Sequence, residues 1–282
     1  MFDFRYHALS LAAVFLALGI GIVLGVTIGD SLVSETEESV RSSLRGDLVG
    51  ARDQVEELRG ELAQRSEVIE RTYPLLVEDR LDGRRVAIVA FGSLPDEVAG
   101  SMREAIEDAG GQVDSTSVLD SPPDERALGD AVGGRFERLG SEEGLLRDLG
   151  ERIGRSIVLG GEIANTLERQ LDESFRGAYQ GADAVVVYRA PEDESSDTAE
   201  VLQESLVEGL LSREGVAVVG VERSDADPSQ IRFYRDNDLS SVDNLDEAAG
   251  RIALVFALDG ARGRFGFKDS AEEPLPEPED GG

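Results

Sequence analysis

The chain has 282 residues, 58 of them acidic against 28 lysines and arginines, for a net charge of −30, and it contains no cysteine. That charge excludes nucleic acid as a partner, because phosphate would be repelled, and it argues against a soluble domain lying on anionic lipid. Without cysteine there are no disulfides and no thiol chemistry.

Residues 1–30 read as a membrane anchor. Positions 9–28 (LSLAAVFLALGIGIVLGVTI) form a twenty-residue run without a charge. As a helix this run spans about 30 Å, the hydrocarbon thickness of a bilayer. A cleaved signal peptide would have a shorter apolar core with an A-x-A-like site beyond it, whereas Gly29, Asp30 and Ser31 follow here. Arg5 and His7 precede the run, and no basic residue follows it before Arg41. Positive residues stay on the cytoplasmic side. The segment is therefore expected to cross the cytoplasmic membrane once, N-terminus inside, with the bulk of the chain extracytoplasmic. Phe2, Phe4 and Tyr6 suit an interfacial aromatic belt. Ala13, Ala17, Gly21, Gly25 and Gly29 recur at every fourth position, a small-residue face on which two helix backbones can pack closely.

Residues 31–73 read as a coiled-coil stalk. Leu44, Leu48, Ala51, Val55, Leu58, Leu62 and Ile69 alternate in steps of three and four, interrupted only at Arg65. That is a heptad seam. Val40 sits one residue off the strict repeat, so the register is expected to shift there. Gly46, Gly50 and Gly60 weaken the helix by up to about 1 kcal/mol each. A single amphipathic helix folded onto its own domain would give the same stripe. The small-residue face upstream favours a parallel homodimer. Pro74 is expected to stop or bend the helix.

Residues 74–267 read as an α/β domain. Positions 85–91 (RVAIVAF) suit a buried parallel strand. Positions 95–109 suit a helix with Val98, Met102, Ala105 and Ile106 on one face, and 112–119 a second strand, which together make a βαβ unit. A glycine-broken helical stretch is expected to about Phe175. Strands follow at 182–188 and 216–221 around a helix at 198–213, with 251–258 (RIALVFAL) as the last strand. The alternation predicts a three-layer domain with a mostly parallel sheet, Rossmann-like or flavodoxin-like. The proline-rich acidic tail, 268–282, is expected to be disordered.

Residues able to carry chemistry are few. The turn after the first strand, Phe91-Gly92-Ser93, is where such a fold takes a ligand, yet it has one glycine where a dinucleotide fingerprint needs three. It reads as a tight turn with Ser93 capping the next helix; an anion at that helix N-terminus is the other reading. The single histidine, His7, precedes the anchor, so no histidine-based triad can form in the exported domain. Asp225/Asp227 and Asp236/Asp238 could hold a hard cation, but neither completes a loop pattern with its glycine and terminal glutamate. Solvated loops fit them better. Soft copper ligands are reduced to Met102, whose spacing places it in a core. No catalytic residue, cofactor or metal site is assigned, and the domain reads as non-enzymatic.

The opening FDFRYHALSLAAVFLALGIGIVLG and the closing VDNLDEAAGRIALVFAL, with a coiled coil between, resemble the actinobacterial family named for mycobacterial copper transport protein B. The resemblance runs from Phe2 to about Leu258. It implies an actinobacterial envelope protein with one N-terminal span and a role in copper efflux or homeostasis, proposed through an outer-membrane pore. It also implies a connection with cell division and peptidoglycan remodelling, as a membrane partner of division proteins. One span rich in Leu, Val and Gly cannot enclose a channel alone, and the domain lacks the alternating segments of an outer-membrane barrel. Anchor, stalk and head together describe an envelope scaffold, with copper homeostasis as the alternative that the family name implies. In the stalk, Leu58→Pro removes a seam residue and a helical hydrogen bond together, at a cost of about 3 kcal/mol. Cross-linking of the full-length chain is expected to show the dimer lost.

Overall fold

A computed structural model of the chain describes residues 4–141, 144–191 and 196–276, and within them all side chains except those of 4–5, 27–40, 42 and 141. Contacts divide the chain into two units, Met1–Arg65 and Ser66–Gly282.

The first unit lies along helix α1 (Phe4–Val77). Its stretch Tyr6–Val26 is long and apolar enough to cross a membrane, with a mean hydropathy of 2.6. In lipid only intrahelical hydrogen bonds can satisfy such a backbone, which makes helix the natural state of this run. Its large apolar side chains point outward. A Cβ added at Gly21 or Gly25 would meet nothing within 4 Å, so nothing among the described residues requires their small size.

The second unit is an α/β domain. In chain order it contains β1 (Arg85–Phe91), α2 (Asp96–Asp108), β2 (Gln112–Leu119), α3 (Glu125–Val132), a 3₁₀ turn at Gly134–Ser141, α4 (Leu145–Leu159), α5 (Glu162–Gln170) and β3 (Phe175–Gly177). It continues with β4 (Ala184–Arg189), α6 (Asp197–Leu210), β5 (Ala217–Val221), α7 (Ile231–Asp236), β6 (Ser240–Val242), α8 (Ala248–Asp259) and β7 (Arg264–Phe265). Among the described residues the strands form one sheet in the order β3-β2-β1-β4-β5-β6-β7. All neighbours are parallel except β3, which runs antiparallel to β2. The inner strands follow the 2-1-3-4-5 order of a flavodoxin-like sheet, the second of the two expected outlines.

Alternation along β1 shows how the sheet is covered. Ala87, Val89 and Phe91 face one core with Leu149, Ile153 and Leu206. Val86, Ile88 and Ala90 face the other with Met102, Ile106 and Leu254. A parallel strand buried on both faces needs an unbroken apolar run, and RVAIVAF supplies it. The expected face of α2 (Val98, Met102, Ala105, Ile106) is the buried one.

One expected strand is a helix. RIALVFAL lies within α8, which ends at Gly260 with φ of 130°. Seven apolar residues in a row carry no period, and a helix buried against a sheet shows the same run as a central strand. The strands β3, β6 and β7, of two or three residues each, were not expected, nor was α7. Pro74 does not end α1, which runs on to Val77. Tyr73 and Val77 are buried in the second core, with Ile69 packed against it. Arg251 of α8 holds Glu70 at 3.0 Å through both carboxylate oxygens and lies 5.2 Å over the Tyr73 ring. The segment expected to start a disordered tail is tied down as far as it is described: Gly266 N–H donates to Glu273 O at 3.0 Å, and Arg264 pairs with Glu272 at 2.7 Å. Residues 277–282 of that expected tail lie outside the described residues.

Helices α4 and α6 touch backbone to backbone. A Cβ on Gly150 would overlap Ser205 Oγ, one on Gly154 would overlap Leu206 O, and one on Gly209 would overlap Glu151 O. Gly154→Ala is expected to lower head stability by about 1–3 kcal/mol, because two packed backbones must separate. Gly100→Ala in α2, where a Cβ meets nothing within 4 Å, should be neutral or stabilising by up to about 1 kcal/mol. Urea midpoints of the two variants check the contrast.

Candidate functional site at the carboxyl edge of the sheet

Ligands of open α/β sheets bind outside the carboxyl ends of the strands, at the point where the strand order reverses. Here that point lies between β1 and β4. The chain leaves β1 through Gly92, with φ of +79°, and a Cβ there would come within 3.0 Å of Ala190 Cβ. Gly92 N–H donates to Leu119 O at 2.8 Å, and Ala190 N–H to Phe91 O at 2.9 Å. These bonds draw the ends of β2, β1 and β4 together. Ser93 is exposed and does not cap α2, whose N-cap is Pro95 without a side-chain bond. The expected capping serine is thereby corrected: Pro95 occupies the cap position, and its fixed φ pre-sets the helix start.

Beyond β4 the edge is filled by polar side chains. Arg189, the last residue of β4, donates from Nε to Gln203 Oε1 at 2.9 Å and from Nη1 to Gln230 Oε1 at 2.5 Å. Its guanidinium lies 5.1 Å over the Phe233 ring. Gln203 of α6 reaches on to Ser121 Oγ at 3.3 Å. Tyr234 of α7 links two strand ends, accepting from Arg189 N–H at 3.0 Å and donating to Val221 O at 2.9 Å. Its ring covers Gly220 so closely that a Cβ there would overlap it. Burial pushes the Tyr234 phenol well above its usual value, which keeps it a donor.

Glu222 closes the end of β5. It is 1% exposed and accepts from Ser229 Oγ at 2.8 Å, Gln230 N–H at 2.5 Å and Lys268 Nζ at 2.5 Å. Lys268 also donates to Arg223 O at 3.0 Å. Asp243, past the end of β6, is buried and accepts from the N–H groups of Phe267 and Lys268, each at 2.9 Å. The chemistry of this edge is charge neutralisation and backbone satisfaction. An open cleft of about 460 Å³ borders the network, lined by Glu200, Glu204 and Asp236 as well as Arg189, Arg232 and Phe233.

The residues singled out from sequence are placed as follows. Asp225 pairs with Arg223 at 2.9 Å, which holds its carboxyl below the usual range. Asp236 is held low in the same way by Arg235 at 2.9 Å, with Arg232 at 3.5 Å. One carboxylate of each expected pair, Asp225/Asp227 and Asp236/Asp238, is thus paired with arginine. Met102 is fully buried. Among the described residues no group of three or more His, Cys, Asp or Glu could hold a metal ion. Ala13, Ala17, Gly21 and Gly25 are exposed along α1; the surroundings of Gly29 lie outside the described residues. Leu44, Leu48, Ala51, Val55, Leu58 and Leu62 are exposed, Leu58 to 58%. Ile69 packs against the head core instead. The network of Arg189, Glu222 and Lys268 was missed. Glu222 and Lys268 lie far apart in sequence with no motif between them, and the one signal was that Lys268 is the sole lysine of the chain.

Residues 1–276 match the family model described as Copper transport outer membrane protein, MctB. The chain belongs to that family. Three curated relatives, each called Copper transporter MctB, come from Mycobacterium bovis and two strains of Mycobacterium tuberculosis. Each is 31% identical over 119 residues, which is 42% of this chain and 38% of the relative. The match thus spans under two-fifths of the length of those MctB relatives. Among solved structures, the catalytic subunit of M. jannaschii aspartate transcarbamoylase aligns at 14% identity with a TM-score of 0.19, covering 66% of this chain and 64% of that one. A mitochondrial ornithine carbamoyltransferase from Coccidioides immitis aligns at 12% identity with a TM-score of 0.18, covering 71% and 91%. TM-scores this low carry no argument.

Lys268→Met leaves the buried Glu222 carboxylate without its cation. It is expected to destabilise the head by about 3 kcal/mol. Adding Glu222→Gln should recover part of the loss, because the remaining donors can bond a neutral amide. Thermal denaturation of the single and double variants checks both.

Proposed function

We propose that the chain is a bitopic envelope protein of the MctB family that acts without catalysing a reaction, as an anchored, self-associating scaffold presenting its α/β head to a protein partner. The observation that carries this reading is the carboxyl edge of the sheet. There, where an α/β fold takes a substrate, Arg189, Gln203, Gln230, Glu222 and Lys268 bind one another. The apolar stretch Tyr6–Val26 supplies the anchor, and Arg5 and His7 ahead of it favour an inside N-terminus. The exposed seam from Leu44 to Leu62 supplies the means of self-association.

A second reading is favoured by the printed descriptions. The family is described as a copper transport outer membrane protein and the relatives as copper transporters. On that reading the chain is a component of copper efflux or homeostasis. A single apolar helix encloses no aqueous path, so the chain would serve as a subunit or regulator beside a pore.

Copper tolerance of a strain lacking the gene, with intracellular copper counted alongside, separates the two. The scaffold reading expects normal tolerance with altered septum shape or wall-antibiotic sensitivity. Hypersensitivity with raised copper, rescued by the full-length gene, would overturn it in favour of the copper role.

A further inference from the structure

Three successive arginines flank the exposed seam of α1 at equivalent positions. With Leu48, Val55 and Leu62 as heptad a residues and Leu44, Ala51 and Leu58 as d residues, Arg45, Arg52 and Arg59 occupy e. Asp47, Gln54 and Glu61 occupy g. All twelve side chains are exposed. Among the described residues, Arg45, Arg52 and Arg59 have no ion-pair partner within the chain, whereas Arg65 pairs with Glu61 and Arg71 with Glu67 on the same helix. Three guanidinium groups beside an uncovered apolar stripe thus await a partner from outside the chain.

We propose that this surface binds a second copy of the chain in parallel and in register, with Asp47 of each helix paired to Arg52 of the other. The proposal rests on the self-association put forward above and adds its register and the ion pairs that fix it. In a parallel pair a g residue faces the e residue of the following heptad on the partner helix. Asp47 then meets Arg52 twice across the two-fold axis, and Gln54 meets Arg59 twice. In an antiparallel pair e faces e and g faces g. Arg45 would then face Arg59, Arg52 would face Arg52, and Asp47 would face Glu61, so every charged contact would be repulsive. A slip of one heptad in the parallel arrangement would pair Asp47 with Arg59 but leave two apolar layers uncovered at each end. The charge pattern therefore works against wrong arrangements as much as for the right one. Val55 at a and Leu58 at d are choices that favour two strands.

The test uses the full-length chain in detergent micelles, where no shared membrane imposes an orientation. Because the chain has no cysteine, Ala51→Cys gives a single reporter at the centre of the seam, and disulfide yield is titrated against dilution. The proposal expects cross-linked dimer. Asp47→Arg alone or Arg52→Glu alone should weaken dimerisation about tenfold, since two attractive pairs become repulsive, and the double variant should restore it. Cross-linking unaffected by the charge reversals would overturn the ionic register while leaving self-association intact. Disulfides between chains carrying Leu44→Cys and chains carrying Leu62→Cys would overturn the parallel polarity. Absence of any Ala51→Cys cross-link, with helicity by circular dichroism unchanged, would overturn both this proposal and the self-association on which it rests.

Discussion

Parallel strands covered on both faces have no side on which to place a polar group. In the head, β1, β4 and β5 bury both of their faces, and the polar chemistry is displaced to the strand ends. Arg189, Glu222 and Asp243 each lie at or just past the carboxyl terminus of a strand, and each is met there by a side chain or backbone donor from another element. The glycines follow from the same pressure. Gly220 makes room for the ring of Tyr234, and Gly154 and Gly209 let α4 and α6 close over one face. A sheet sealed in this way gathers its polar side chains at one edge, where they bind one another.

Much of this was legible in the residues. The runs at 85–91, 112–119, 182–188 and 216–221 recur as β1, β2, β4 and β5 within two residues, because four or more apolar or alternating positions in a row define a face. The α2 face was legible for the same reason, since its four buried residues keep helical spacing. RIALVFAL failed because an unbroken apolar run is consistent with either a buried strand or a buried helix, and only its packing against the sheet decides. Strands of two or three residues such as β6 and β7 leave no pattern at all, because hydrogen bonds to an existing edge define them. The Glu222–Lys268 pair was invisible for a different reason: long-range pairing of two charges leaves no local trace.

The two units express opposite solutions to the same problem of apolar surface. The head hides nearly all of its own. The described part of the first unit leaves Leu, Val, Ile and Phe side chains uncovered from Tyr6 to Val26 and again along the seam from Leu44 to Leu62. Exposed apolar stripes of that length mark a surface meant for lipid or for another helix. On the reading proposed above, the continuous run without charge meets lipid and the narrow stripe flanked by charges meets a second helix.

The end of α1 carries a mechanical consequence. Ile69, Tyr73 and Val77 are side chains of the head core, and Glu70 is clamped by Arg251. The last turns of α1, which fall in the second unit, therefore belong to the head's own fold. Tension applied to those turns would be borne by the packed core and by the guanidinium clamp. Through Arg251 those turns are tied to α8 as well as to the core, so a load on them is shared between a side-chain clamp and packed apolar surface.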